Sequence, residues 1–174
     1  MRWGRRAPIV RIVVMGPSGS GKSLVGAALA ARLRARFVDG DDLHPSSNVA
    51  KMRGGTPLTD ADREPWLDAV GLTLARESAS IVVACSALRR AYRDRIRRAA
   101  PDTVFVELVV DAPELSRRMS RRDHFMPTAL LDSQLSTLEP LAQDEAGFRV
   151  ANDADLQSVV DRVAGLLSDA QSLR

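Results

Sequence analysis

The chain has 174 residues, 45% of them hydrophobic and 27% charged, with a formal net charge of +3 and a pI near 9.7. That length and balance suit one folded domain with a real core and exclude a disordered polymer, and no apolar run approaches the ~20 residues that span a bilayer. A single cysteine, Cys85, excludes an internal disulfide and fits a reducing cytoplasm.

In chain order, the basic residues 1–8 read as a flexible lead to a single domain over 9–174. The β-branched run 9–15 reads as a buried parallel strand. It enters Gly16-Pro17-Ser18-Gly19-Ser20-Gly21-Lys22-Ser23, which fits G-x-x-x-x-G-K-[ST] without mismatch. A helix over 22–35 follows, with an apolar stripe through Val25, Leu29 and Leu33. Between such a strand and helix, successive loop N–H groups can cradle a β-phosphate. Gly16, Ser18, Gly19, Ser20, Gly21, Lys22 and Ser23 are therefore the candidate ATP site. Lys22 would bridge the β- and γ-phosphates and Ser23 would ligate Mg2+. Lys22 and Lys51 are the only lysines, against 23 arginines. A compact ammonium fits inside such a loop where a planar guanidinium does not.

A second strand, 36–39, ends in Asp39-Gly40-Asp41-Asp42-Leu43-His44-Pro45. Three carboxylates facing a nucleotide loop repel one another unless a cation or a substrate proton uses them. In phosphoryl transfer one carboxylate can orient Mg2+ and another can accept the hydroxyl proton. Asp39 and Asp41 are the candidates, Gly40 is expected to leave room for a ligand between them, and Asp42 reads as structural. His44 has no second histidine nearby for zinc and suits a turn or a substrate donor. On the helix 45–53, Asn48 and Lys51 share a face. The scarcity of lysine points Lys51 to a salt bridge or to an anionic substrate.

The helix 60–78 has acidic residues in its first turn, Arg63 placed to reach back over the site, and Trp66 as core. The strand 80–85 closes on Cys85-Ser86-Ala87-Leu88, with Cys85 buried and Ser86 able to donate to a substrate hydroxyl. The helix 88–99 carries the densest arginine group, spread around its circumference. With four Phe, two Trp and one Tyr in the chain, stacking platforms are few and no nucleic-acid partner is expected. A strand over 103–110, helices over 113–121 and 128–137, a strand over 148–152 and a helix over 154–168 complete the order. Arg117, Arg118, Arg121 and Arg122 fall on a segment expected to act as a lid, about 118–130. This alternation implies an α/β fold, a parallel five-stranded sheet flanked by helices, with the ligand beyond the strands' carboxyl ends.

Together these segments closely resemble gluconate kinase (gluconokinase) among the P-loop small-molecule kinases. The resemblance is carried by residues 16–23, the Asp39 to Pro45 run, Asn48 with Lys51-Met52, and Pro57-Leu58 through Asp62-Arg63 and Pro65-Trp66-Leu67. It continues through Cys85-Ser86-Ala87-Leu88, Tyr92-Arg93, His124-Phe125-Met126-Pro127, Ser133-Gln134 and Thr137-Leu138-Glu139. It implies a nucleoside-monophosphate-kinase-like fold with a lid, cytoplasmic and often homodimeric. It also implies ATP- and Mg2+-dependent phosphorylation of D-gluconate at its 6-hydroxyl. By that likeness Asp41 is the general base, Lys22 and Arg63 complete the catalytic set, and Ser23 and Asp39 hold the metal. Asp41, His44, Asn48, Lys51, Arg63, Ser86, Arg93 and His124 contact the substrate, and Arg121 joins the nucleotide site. The family's lysines after the Cys-Ser-Ala-Leu segment are replaced here by Arg89 and Arg90. A shikimate-type acceptor, or a nucleotide-binding switch without turnover, is the competing expectation.

Overall fold

The computed structural model describes residues 9–121 and 128–172, with the side chains of 128–130 and 171 outside the description. Five strands form one parallel sheet: β1 (Arg11–Met15), β2 (Arg36–Asp39), β3 (Ile81–Ala84), β4 (Thr103–Val109) and β5 (Gly147–Ala151), in the spatial order β2-β3-β1-β4-β5. Seven helices connect and cover them among the described residues: α1 (Lys22–Leu33), α2 (Ser46–Arg53), α3 (Asp60–Arg76), α4 (Arg90–Ala99), α5 (Ala112–Ser120), α6 (Thr128–Thr137) and α7 (Leu156–Ser172).

The alternation of β1 divides the core in two. Ile12 and Val14 pack with Val25 and Leu29 of α1 and with Val159 and Val163 of α7. Val13 and Met15 face the opposite layer, where Trp66, Val70 and Leu74 of α3 and Ile96 of α4 close the other side. Both faces of β1 are fully buried, which is why it reads as a continuous apolar run rather than an alternating one.

The element order is the expected one, and the ends move for local reasons. Helix α1 stops at Leu33, because Arg34 takes the left-handed conformation (φ 53°) and returns its N–H to Ala30 and Ala31. Helix α3 begins with a capping box: the Thr59 hydroxyl accepts from the Asp62 N–H, and the Asp62 carboxylate accepts from the Thr59 N–H. Helix α4 starts two residues later than expected. Its N-cap, Arg89, offers no side-chain cap, and the distant Glu139 accepts the Arg90 N–H at 2.7 Å instead. Past Asp39 the chain makes a 3-10 turn, Gly40–Leu43, that the sequence reading did not foresee; the Asp39 carboxylate caps it by accepting the Asp41 N–H at 3.1 Å.

Five arginines at the start of α4 and along it meet carboxylates. Arg89 meets Asp60, Arg90 meets Asp144, Arg95 meets Asp68 and Glu64, and Arg93 and Arg97 meet Glu145. The basic lead and most of the proposed lid, with His124 in it, lie outside the described residues.

Candidate active site

The carboxyl ends of β1, β2 and β3 open on one side of the sheet, and the loop 16–23 crosses the end of β1 before α1. Gly21 stands at φ 88°, where a side chain is strained, and a Cβ there would meet Nδ2 of Asn152 at 2.7 Å. That same Nδ2 donates to the Ser20 carbonyl at 2.7 Å, so the end of β5 braces the loop from outside. Beside it lies a cavity of about 440 Å³, lined by Ser18, Gly19, Gly21, Lys22, Ser23, Asp41, Arg118, Asn152 and the 154–156 turn.

A second cavity, about 160 Å³, lies on the other side of the loop, between the 3-10 turn, α2, the start of α3, the β3–α4 turn and α6. Its polar lining includes Ser18, Lys22, Asp41, His44, Arg63, Ser86, Tyr92, Ser133 and Gln134; Met52, Pro57, Leu58, Trp66 and Leu88 add apolar surface. The two cavities share Ser18, Lys22 and Asp41. A larger groove of about 580 Å³, between α1 and α7, contains no loop residue and is mostly aliphatic apart from Arg32, Asp161 and Ser168. Its Val10 marks the opposite, amino end of β1, so volume alone is a poor guide to the chemistry here.

Each wall of the second cavity is held from behind. Trp66 is 2% exposed; its indole N–H donates to the Gly40 carbonyl at 2.7 Å, and its ring stacks on His44 at 4.1 Å and 14°. Burial, and secondarily Arg63, hold the His44 pKa below the ordinary imidazole value, against the pull of Asp41. The Arg63 guanidinium lies 5.6 Å over the Tyr92 ring and within 3.4 Å of both the Tyr92 hydroxyl and Asp60. The Tyr92 hydroxyl in turn donates to Asp60, and that bond is the main reason the Asp60 pKa lies below its usual range. Across the loop, the Ser18 N–H donates to Oε1 of Gln134 at 2.7 Å.

Several expectations are corrected by this geometry. Gly40 leaves no ligand space: it is buried, and a Cβ there would collide with the Ala84 carbonyl. Asn48 is 2% exposed and does not line the cavity; its amide donates to the Asp62 carbonyl at 2.8 Å. Lys51 pairs with the Asp62 carboxylate at 2.7 Å, so the salt-bridge alternative is the one adopted. Arg93 is fully buried, forked onto Glu145 at 2.7 Å by two nitrogens, and its third nitrogen donates to the carbonyls of Ala87 and Glu139. It braces the turn that presents Ser86, with Ala87 held at φ 42°, rather than reaching a substrate. Arg121 ends α5 exposed and outside both cavity linings, whereas Arg118 lines the nucleotide-side cavity and donates to the Asn152 carbonyl at 3.0 Å. Cys85, by contrast, is fully buried as expected, and burial pushes its thiol up to about 12, so it is no nucleophile.

Asp39 lines neither cavity, and one of its oxygens is engaged in capping the 3-10 turn. The hard-oxygen set of the Ser23 hydroxyl and the strand-two carboxylates still suits Mg2+, which binds through one or two protein oxygens and completes its shell with phosphate and water. Among the described residues there is no group of three or more His, Cys, Asp or Glu side chains arranged to hold a metal alone. Sequence reasoning counted Arg118 only among the lid arginines, carried Gln134 only within the family resemblance, and gave no role to Asn152. Asn152 could have been found from the strand-end rule, since it follows β5 directly.

Comparisons with known proteins give the chain's family and fold. A family model for the AAA domain matches residues 12–141. The chain is 43% identical to the probable gluconokinase of Xenopus tropicalis, over 88% of this chain and 91% of that protein. It is 46% identical to a gluconokinase from Sinorhizobium meliloti, whose crystal structure superposes with a TM-score of 0.87 over 97% of each chain. The shikimate kinase of Aquifex aeolicus superposes with a TM-score of 0.60 at 17% identity and covers 94% of this chain and 99% of that one, a likeness of fold alone.

Proposed function

We propose the following reaction for this chain, which belongs to the gluconokinase family of P-loop kinases: transfer of the γ-phosphoryl group of ATP to the 6-hydroxyl of D-gluconate, giving 6-phospho-D-gluconate and ADP. The observation that carries it is the meeting of the two cavities at Ser18, Lys22 and Asp41. ATP fills the larger one with its phosphates along the loop, and the sugar acid fills the smaller one. The donor phosphorus and the acceptor oxygen then face each other beside one ammonium and one carboxylate.

Asp41 accepts the proton of the acceptor hydroxyl as its oxygen attacks the γ-phosphorus. The bond from that phosphorus to the bridging oxygen breaks, and its electron pair leaves with ADP. Lys22 and the loop N–H groups counter the charge that gathers on the transferring oxygens. Ser23 and Asp39 are the residues that would hold Mg2+, which would supply further neutralisation of the phosphates. Arg63 takes the gluconate carboxylate, since its guanidinium is oriented by Asp60 and Tyr92 at the cavity edge. Ser86, His44 and Gln134 meet the hydroxyls. The Ser18 N–H occupies the Gln134 oxygen, so its NH2 remains for the acceptor. Arg118 borders the nucleotide, a closing segment over 118–130 excludes water, and the working assembly is a cytoplasmic homodimer. Among the described residues no helix is long and apolar enough to cross a membrane.

The shikimate alternative loses ground because its resemblance stops at the fold. The test is product identity: 31P NMR of a reaction with Mg-ATP and gluconate should show one new phosphomonoester at the terminal carbon. A phosphate on another oxygen, or ATP hydrolysis without transfer, would overturn the reading.

A further inference from the structure

His44 stacks on Trp66 at the edge of the acceptor cavity, and its Nδ1 lies 3.3 Å from Nδ2 of Asn48. The same Nδ2 lies 2.8 Å from the Asp62 carbonyl oxygen, and Asn48 is 2% exposed. A carbonyl can only accept, so the group that Asn48 turns towards it is the NH2. The second hydrogen of that NH2 is aimed at His44 Nδ1, which must then offer a lone pair. A neutral imidazole with Nδ1 bare carries its proton on Nε2, and no described residue bonds Nε2.

We propose that Asn48 is a positioning residue that holds His44 as the Nε2–H tautomer, making His44 a fixed neutral donor to an oxygen of the acceptor and removing it as a general base. The identity of that acceptor rests on the gluconate reading; the tautomer does not.

The consequence explains a division of labour. Histidine is the commonest general base, and His44 stands in the same cavity as Asp41. With Nε2 protonated, its free nitrogen has no lone pair for a hydroxyl proton, and proton removal falls to Asp41. A second proton on His44 would have to enter at Nδ1, against the Asn48 NH2. Among the described residues, the charged groups acting on the ring are Asp41 from the 3-10 turn and Arg63 from α3, with Lys22 of α1 lining the same cavity. Burial and Arg63 oppose protonation more than Asp41 favours it, so the neutral form extends below the ordinary imidazole value.

The chain has two histidines, so ring 15N NMR of the full-length, histidine-labelled protein gives two spin systems, and His44→Gln assigns them. The expected wild-type spectrum at pH 7.5 has His44 in one tautomer, Nε2 protonated and Nδ1 bare. In Asn48→Ala the two tautomers should mix, and the gluconate KM should rise roughly 3- to 10-fold, one neutral hydrogen bond, with ATP affinity unchanged. In His44→Gln, KM should rise while kcat falls less than tenfold, because no base is lost. A wild-type spectrum with Nδ1 protonated overturns the proposal without any variant, as does a 10²-fold or greater loss of kcat in His44→Gln. If gluconate is not turned over, the wild-type spectrum still decides the tautomer, and the failure belongs to the functional reading instead.

Discussion

Asp41 is the residue on which the chemistry turns, because among the described residues it alone offers a carboxylate to both cavities. Asp41→Asn keeps the shape and removes the base, so kcat should fall by about 10²-fold or more while ATP affinity holds. Near-normal turnover in that variant would remove Asp41 from the role. Gln134 makes a second residue-scale prediction. Glutamate at 134 can still accept the Ser18 N–H, yet it sets a negative charge where the acceptor's oxygens lie. Gln134→Glu should therefore raise the gluconate KM by at least about tenfold, with ATP affinity less affected. Equal losses for both substrates would show that Gln134 only supports the loop. The sequence made the loop legible residue by residue, since its chemistry is written in eight consecutive positions. It included Gln134 in the family resemblance but gave it no partner, because that partner, Ser18, stands 116 residues away.

Helices α2 and α3 are joined at Asp62, which receives Asn48 on its carbonyl and Lys51 on its carboxylate. This clasp explains why two residues that share a helix face looked functional: they do act together, on another element rather than on a ligand. Hydrogen bonds from Lys51 first, and then from the Thr59 N–H and hydroxyl, hold the Asp62 carboxyl at about 2. A depressed carboxyl contributes stability that is present above the ordinary range and lost as pH falls from about 4 to about 2. Over that window the melting temperature of the wild type should fall more steeply than that of Lys51→Met. Parallel slopes would mean the pair contributes nothing. Lys51→Arg can keep the contact, so its kinetics should stay near wild type, whereas a large loss would restore a substrate role to Lys51. Periodicity gave the elements in order, and among the ends it misplaced are the start of α4, set by the distant Glu139, and the end of α1, set by the left-handed Arg34.

Across the whole molecule, the Arg93–Glu145 pair ties α4, the Ser86 turn and the 139–146 segment together, with both side chains 1% exposed. Glu145→Gln leaves Arg93 buried without a counter-charge and should cost about 3–5 kcal/mol, or roughly 6–20 °C in melting temperature. A change under about 2 °C would show that the Ala87 and Glu139 carbonyls suffice for Arg93 without it. No local pattern announces a pair 52 residues apart, so nothing in the sequence stood against the ligand contact that the family resemblance implied for Arg93. The order β2-β3-β1-β4-β5 sets the ends of β1, β2 and β3 side by side, and that placement turns scattered motifs into two adjoining cavities. Phosphoryl transfer between them is the central step. The decisive measurement is ADP release from Mg-ATP by the purified full-length chain, with gluconate, shikimate, glycerate, AMP and CMP offered in turn. Turnover selective for gluconate is the predicted result; ATP binding without acceptor-dependent ADP release, or stronger turnover of another acceptor, would contradict it.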